Sequence, residues 1–156
     1  KCVYQAGLEI QDMVFAPIAC AENMLTKKQK EIGSVLLDLG GGTTSIAVFE
    51  EGDILHAAVI PIGSSHITND LAIGLRTSVE TAEKIKTRYG SAIPDKIRGA
   101  EIISLSQFDA GENQRIERKY VSEIIEARLG EIFALINQEL KRIGKEGMLA
   151  AGAVLN

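Results

Sequence analysis

The chain has 156 residues, of which 46% are hydrophobic, 24% are charged and 4% are aromatic, and its formal net charge is −4. This length is enough for one ordinary domain or for two small lobes with a sizeable core, and no apolar run approaches the roughly 20 residues that cross a bilayer. The acidic balance argues against a general nucleic-acid binder, because binding to phosphate backbones depends on clustered Lys and Arg.

The two cysteines do not form a metal or disulfide pattern. Cys2 and Cys20 have neither a CxxC partner nor a His at ligand spacing, so we expect no zinc site and reduced, cytoplasmic thiols. The chain begins with Lys and ends in an apolar run at residues 148–155. We therefore expect it to be a segment of a longer protein.

The N-terminal part predicts short elements of both kinds. Residues 1–8 are typical of the end of a helix, and residues 10–16 predict a strand. A short apolar helix is expected over 17–25, because Pro17 suits a first helical turn. The charged residues 27–31 predict a surface connector.

Three consecutive strands follow, at residues 35–39, 44–50 and 53–60, where the apolar residues form short runs or alternate with polar ones. The glycines at 40–42 connect the first pair, and residues 51–53 connect the second. Connections this short predict hairpins in an antiparallel meander.

Two helices are predicted after the strands. The first covers residues 68–75. The second is capped by residues 77–78 and runs to about Tyr89, with Glu80 at capping-box spacing from Thr77. Gly90 stops this helix, so both of its ends carry a signal in the sequence.

The last third predicts a small lobe, a long helix and a final strand. Residues 91–115 are irregular, with a short strand at 101–106 and a polar turn at 109–113 that is consistent with a hairpin. Apolar residues at three- and four-residue steps predict one amphipathic helix over 118–145. A buried strand is expected at 148–155.

The motif DLGGGTT at residues 38–44 does not fit two common phosphate-binding loops. A P-loop needs a Lys directly after its last glycine. A dinucleotide-binding fingerprint needs a helix after the glycines, whereas a strand is predicted here.

A third arrangement remains, in which the hairpin tip presents its backbone amides to a phosphate. Glycine would be required because a Cβ would keep the backbone away from the ligand. The threonines would add hydroxyl donors, and the aspartate could hold a hydrated Mg²⁺ or orient a water. A flexible turn with the aspartate as its acceptor is the alternative. The candidate residues are Asp38, Gly40, Gly41, Gly42, Thr43 and Thr44.

Glu83 and Lys86 are three residues apart and share one face of the second predicted helix. A carboxylate and an ammonium at this spacing could bond ribose hydroxyls and flank an adenine. The alternative is a solvated surface pair, which is common at this spacing.

The order of these elements resembles the second half of the actin and Hsp70 ATPase superfamily. Within that superfamily, the chain resembles the bacterial cell-division family FtsA over nearly its whole length. The glycine hairpin is a mark of the superfamily, and the runs ITND and IIEAR point to the family. The matching runs are residues 15–22, 38–44, 60–63, 67–77, 82–86 and 124–129.

This resemblance implies an actin-like, ribonuclease H-like α/β fold, with a mixed sheet, flanking helices and a small α+β insert. Residues 1–60 and 148–156 would belong to subdomain 2A, and residues 61–147 would form subdomain 2B. ATP with Mg²⁺ would lie between the two large halves of the intact protein, and Gly63 would join the phosphate site. Because one half is missing here, we expect weak or no nucleotide binding by this chain alone.

The resemblance also implies partners. The C-terminal peptide of the tubulin-like protein FtsZ would dock at Arg128, with Glu131 one turn away and Lys119 as a further contact. An Arg fork suits a carboxylate, although a solvated helix charge is the alternative. Filament formation is implied, as is attachment to the cytoplasmic face of the inner membrane through a C-terminal helix absent here.

Three residues depart from the family pattern. Ser45 replaces a frequent Asp, and Ser64 and Ser65 replace a frequent Gly and Asp. Because water attack assisted by a metal depends on such carboxylates, we expect little or no ATPase activity, with Asp38 the sole candidate catalytic residue. An Hsp70-like chaperone ATPase and a scaffold for pilus assembly or rod shape remain alternatives.

Overall fold

The computed structural model describes residues 1–109 and 111–156. The chain divides into two compact units. The first unit consists of Lys1–Asp38, Ser45–Ala58 and Gly147–Asn156, and the second consists of Leu39–Thr44 and Val59–Glu146. The subdomain boundaries implied by the family resemblance stay a prediction.

The main sheet has four strands in the order β3-β2-β1-β6. Strands β1, β2 and β3 are joined by loops of a few residues, so neighbours run antiparallel, because parallel strands need a much longer crossover. Strand β6 pairs parallel to β1, with Val35 opposite Ala153. The predicted meander and mixed α/β sheet are confirmed. The strands are β1 (Ser34–Leu39), β2 (Thr44–Glu50), β3 (Asp53–Ile60) and β6 (Ala153–Leu155).

The turn between β2 and β3 rests on a helix that we did not predict. Glu51 and Gly52 have φ values of 54° and 86°, as a two-residue hairpin turn requires. Their amides donate to the carbonyls of Glu31 and Lys30 at 2.9 and 3.2 Å. Lys30 and Glu31 belong to α3 (Lys27–Ile32), so the prediction of a surface connector over 27–31 was wrong.

A capping box explains α3. The Thr26 side chain accepts from the Gln29 amide, and the Gln29 side chain accepts from the Thr26 amide. This Thr-x-x-Gln pattern is a sequence signal for a helix start.

The N-terminal region contains two helices, α1 (Cys2–Gln5) and α2 (Ala16–Met24). The prediction of α2 is confirmed, but the strand predicted at 10–16 is wrong. No strand forms there in the part of the chain that the structure describes, and Met13 is 84% exposed. A strand needs a neighbouring strand for its backbone hydrogen bonds. The apolar residues of this segment contain no information about such a neighbour.

The second unit is built from three helices and a two-stranded sheet. Strands β4 and β5 are antiparallel, with Ile103 opposite Ile116, which confirms the predicted hairpin; Ala110, in its predicted turn, lies outside the described residues. Buried residues of all three helices form one core with Ile103 and Leu105. The elements are α4 (Ser64–Leu75), α5 (Val79–Tyr89), β4 (Ile102–Ser104), β5 (Arg115–Glu117) and α6 (Arg118–Arg142).

Several predicted boundaries shift. Ser78 caps α5 by accepting from the Thr81 amide at 3.1 Å, whereas the Thr77 hydroxyl donates to Glu112. Glu80 forms an ion pair with Lys84 instead of a capping box.

The long helix α6 is confirmed, although it ends three residues before the predicted boundary. Strand β6 is shorter than predicted. Within the described ranges, no helix has both the length and the apolar character needed to cross a membrane.

Substitution of Leu71 by Ala should destabilise the protein strongly, because Leu71 is 0% exposed at the centre of the second unit's core. Truncation of a buried leucine costs about 2 to 5 kcal/mol. Ile73→Ala on the same helix, where the side chain is 77% exposed, is the matched control and should change stability by no more than about 0.5 kcal/mol. The urea unfolding midpoints of the two variants measure these effects. Equal shifts for Leu71→Ala and Ile73→Ala would contradict the burial of Leu71 in the core.

Candidate functional site

The glycine loop, residues 40–43, connects β1 to β2. The loop is closed by a hydrogen bond from the Gly40 amide to the Thr43 carbonyl at 2.9 Å. Gly41, Gly42 and Thr43 are exposed. The backbone at the tip of the hairpin is therefore accessible from solvent.

The glycine loop packs directly against the start of α4. The Ser64 amide donates to the Gly40 carbonyl at 2.9 Å, and the Ser65 amide donates to the Gly41 carbonyl at 2.8 Å. These bonds satisfy two of the amides that a helix start leaves without partners. The carbonyls of Gly40 and Gly41 are used on α4 and the Gly40 amide is used within the loop, so the amides of Gly41 and Gly42 are the candidate donors to a ligand.

Gly63 makes this close packing possible. A Cβ at Gly63 would lie 2.4 Å from the Gly40 carbonyl oxygen and 2.6 Å from that of Gly41. Neither backbone atom could move without breaking the loop. Gly63 is therefore a structural requirement for the position of the glycine loop, and any ligand role would come in addition.

Gly42 differs from its neighbours. A Cβ at Gly40 would meet the Thr43 carbonyl at 3.1 Å, and one at Gly41 would meet the Ser65 hydroxyl at 3.4 Å, but one at Gly42 meets nothing within 4 Å. Gly42 also lacks a positive φ. Within the described residues, neither backbone conformation nor packing requires glycine at this position.

The two threonines have different environments. Thr43 is exposed, whereas Thr44 is 0% exposed and its hydroxyl donates to the Ile62 carbonyl at 2.8 Å. A buried hydroxyl that already donates inside the protein cannot also donate to a ligand. We therefore correct the interpretation of Thr44 and leave it out of the candidate site.

Asp38 lies near the end of β1, and its Oδ1 accepts from the Asn156 side-chain amide at 3.0 Å. In the described part of the chain, no three His, Cys, Asp or Glu residues are grouped as a metal site would require. Direct metal coordination by Asp38 with other side chains is thus not supported, and an indirect role through water stays a prediction.

Glu83 and Lys86 form an ion pair of 2.7 Å on α5. The Thr68 hydroxyl of α4 donates to Glu83 at 2.5 Å and accepts from Lys86 at 2.8 Å. The Lys86 side chain is 16% exposed and the Glu83 side chain 48%, so the ammonium is largely buried while the carboxylate reaches solvent. Thr68 was missed from the sequence, because its contact with α5 depends on helix packing.

This polar network reaches the glycine loop. The Lys86 ammonium also donates to the Ser64 carbonyl at 3.3 Å, and the Ser64 amide donates to Gly40. The loop and the charged pair therefore lie on the same side of the second unit and are connected through the first turn of α4.

The electrostatics of the network favour a charged Glu83. Its pKa is lowered mainly by the hydrogen bond from Lys86 and then by the bond from Thr68, against a smaller opposing effect of burial.

Arg128 lies on α6 and is held by two carboxylates. Its Nε and Nη2 donate to the two oxygens of Asp70 at 2.5 and 2.9 Å, and its Nη1 donates to Glu131 at 2.5 Å. The pKa of the guanidinium is raised, first by the hydrogen bond to Asp70. The expected partner arginine thus has internal acidic partners.

Lys119 lies nine residues before Arg128, or about 13 Å along an α-helix. It lines a separate pocket of about 500 Å³ together with Arg76, Arg115 and Tyr120. The structure therefore brings Arg128 and Glu131 together but does not place Lys119 beside them.

Replacement of Lys86 by Met should raise the pKa of Glu83, because the largest cause of its lowered value is removed. The folded-state pKa lies below the unfolded one, so the network contributes stability above the unfolded pKa and loses it as pH falls through the folded pKa. Carboxyl NMR titration of Glu83 in both proteins tests this. An identical midpoint in the variant would contradict the assigned cause.

Comparison with known proteins identifies the family of the chain. The family model described as cell division protein FtsA matches residues 35–154. The chain is 42% identical to FtsA of Pseudomonas aeruginosa over 155 residues, which is 99% of this chain and 37% of that protein. It is 40% identical to FtsA of Bacillus subtilis over 144 residues, or 92% of this chain and 33% of that protein. The chain thus spans about a third of the length of these relatives.

Among solved structures, MreB 5 of Spiroplasma citri bound to AMPPNP superposes with a TM-score of 0.71 at 20% identity, over 88% of this chain and 44% of that one. At this identity the likeness shows the fold alone, which is actin-like. Together with the family match over residues 35–154, this places the chain in the FtsA family of actin-like cell-division proteins.

Proposed function

We propose that this chain is the part of an actin-like cell-division protein that carries one phosphate loop for ATP and a docking site for the C-terminal peptide of FtsZ. The observation that carries the ATP proposal is the hydrogen-bond path from the glycine loop through Ser64 to Lys86 and Glu83. The candidate phosphate donors and the groups proposed for the ribose hydroxyls are thus connected within the same unit.

The amides of the glycine loop fit an anionic ligand. Gly41 and Gly42 are exposed, and the α4 contacts use the loop carbonyls and not the amides of these two residues. Close approach of a phosphate would explain glycine at position 42, where the chain itself does not require it. Thr43 adds an exposed hydroxyl.

Glu83 and Lys86 would bind the nucleoside. A charged carboxylate accepts from ribose hydroxyls. The three N–H groups of Lys86 already donate to Glu83, Thr68 and the Ser64 carbonyl, so its ammonium would bond a ribose hydroxyl by exchanging one of these contacts. Because Thr68 and the Ser64 carbonyl hold Lys86 in place, little side-chain freedom would be lost on binding. Mg²⁺, when bound with ATP, would neutralise phosphate charge, and Asp38 could hold one of its waters.

Turnover should be slow or absent. Ser45 and Ser65 supply hydroxyls at positions where a carboxylate could activate water, and Asp38 already accepts from Asn156. This favours a nucleotide-dependent scaffold over a chaperone ATPase motor.

Filament formation and attachment to the membrane at the division site complete the proposal and rest on the family alone.

Arg128 would bind a carboxylate of the FtsZ peptide. Its side chain is 24% exposed and rigidly held, and an Arg fork suits planar two-point recognition of carboxylates. Because Arg128 already binds Asp70 and Glu131, the peptide carboxylate would either replace one of these carboxylates or bind in addition to them.

Gly42→Ala should weaken ATP binding by the intact protein about tenfold or more, because the added Cβ stands where a phosphate oxygen would approach. Its unfolding temperature should not change, since the Cβ meets nothing within 4 Å. Fluorescent ATP titration and thermal unfolding measure the two effects.

Gly130→Ala is the matched control, because this helical glycine also faces open space and should leave ATP binding unchanged. Gly63→Ala should instead lower the unfolding temperature, because its Cβ would overlap two carbonyl oxygens. Normal ATP affinity in Gly42→Ala would refute the phosphate loop.

Arg128→Glu should reduce binding of a labelled FtsZ C-terminal peptide at least tenfold, because a like charge faces the peptide carboxylate. Arg142→Glu, a change on the same helix at an exposed position, controls for net charge. Fluorescence anisotropy with the intact protein measures both. Equal losses of peptide affinity in Arg128→Glu and Arg142→Glu would show that the effect comes from net charge and not from a contact with Arg128.

A further inference from the structure

We propose that Asp70 is a positioning residue for anionic ligands at Arg128, and that Glu131 is an internal competitor that such a ligand displaces. The inference rests on the proposed function of Arg128 and assigns different roles to the two carboxylates that hold it.

Asp70 binds one complete edge of the guanidinium. Both of its oxygens are used, one on Nε and one on Nη2, which is the side-on form of a two-point contact. The side chains of Arg128 and Asp70 are 24% and 27% exposed. A partly buried two-point pair fixes both the position and the plane of the guanidinium.

The geometry leaves room for a second carboxylate. A guanidinium has five N–H donors; Asp70 uses two and Glu131 uses one. The two that remain are on Nη1 and Nη2, the nitrogens of the end-on edge. A ligand carboxylate can bind at that edge while Asp70 keeps its contact.

Glu131 is the weaker of the two internal partners. It lies three residues from Arg128 on the same helix, contacts only Nη1 and is 58% exposed. Exposed pairs at this spacing contribute little. A ligand carboxylate that approaches the free N–H of Nη1 meets the like charge of Glu131 on the same nitrogen, so the ligand would displace Glu131 and not Asp70.

Positioning has a measurable consequence. A mobile long side chain loses rotamer freedom when it binds, which corresponds to roughly two- to tenfold in affinity. Asp70 orders Arg128 before the ligand arrives. Removal of the Asp70 charge should therefore weaken the binding of an anion, although charge alone would strengthen it.

The test uses the intact protein and a labelled synthetic FtsZ C-terminal peptide, with dissociation constants from fluorescence anisotropy. Asp70→Asn should weaken binding about fivefold, and Glu131→Gln should strengthen it about twofold. Both changes remove one negative charge beside Arg128, so they are matched. In an Arg128→Met background, Asp70→Asn should have no further effect, because Asp70 acts through Arg128.

Tighter binding by Asp70→Asn, or an equal loss in the Arg128→Met background, would overturn the positioning role. Weaker binding by Glu131→Gln would overturn the role of competitor. If the unsubstituted protein binds no peptide, both this inference and the peptide site are wrong. If the unsubstituted protein binds the peptide and Arg128→Met binds it equally well, the peptide site at Arg128 and this inference are also both wrong.

A second measurement needs no variant of Asp70. The Nε–H of Arg128 should give a protected ¹⁵N NMR signal before and after the peptide is added, because the side-on edge stays with Asp70. Loss of that protection on binding would show that the ligand displaces Asp70, which would overturn the inference.

Discussion

The contact between the glycine loop and the first turn of α4 supports the rest of the candidate site. Two loop carbonyls accept from the amides of Ser64 and Ser65, and the absence of a side chain at Gly63 lets the two backbones approach. A helix start needs acceptors for its free amides, and here the loop supplies them. The same contact sets the direction in which the loop can present its own amides.

Helix α4 connects the features that the proposals use. Its first turn binds the glycine loop, Thr68 bridges Glu83 and Lys86, and Asp70 holds Arg128. Leu71 and Leu75, which share a helix face with Thr68, pack into the core. One helix thus positions both the network proposed to face the nucleotide and the arginine proposed to bind a partner.

Two of the candidate binding cations, Lys86 and Arg128, are paired with acids. Lys86 is paired with Glu83, and Arg128 is paired with Asp70 and Glu131. Such pairs add little stability when exposed, but they hold flexible side chains in one orientation. Candidate residues that the sequence presents singly are therefore parts of small networks that include Thr68 and Asp70.

The sequence alone determined the strand meander, the hairpin glycines and the long helix α6, because these depend on local periodicity and turn chemistry. A local signal for α3 was also present in Thr26 and Gln29. Only the tertiary structure decided where α4 begins, since the acceptors of its first amides come from residues more than twenty positions away. The tertiary structure also buries Thr44, whose hydroxyl is therefore excluded from the candidate site. It brings Asp70 into contact with Arg128, which is 58 positions further along the chain. Contacts between distant residues leave no local pattern, so side-chain partners followed from packing and not from the sequence.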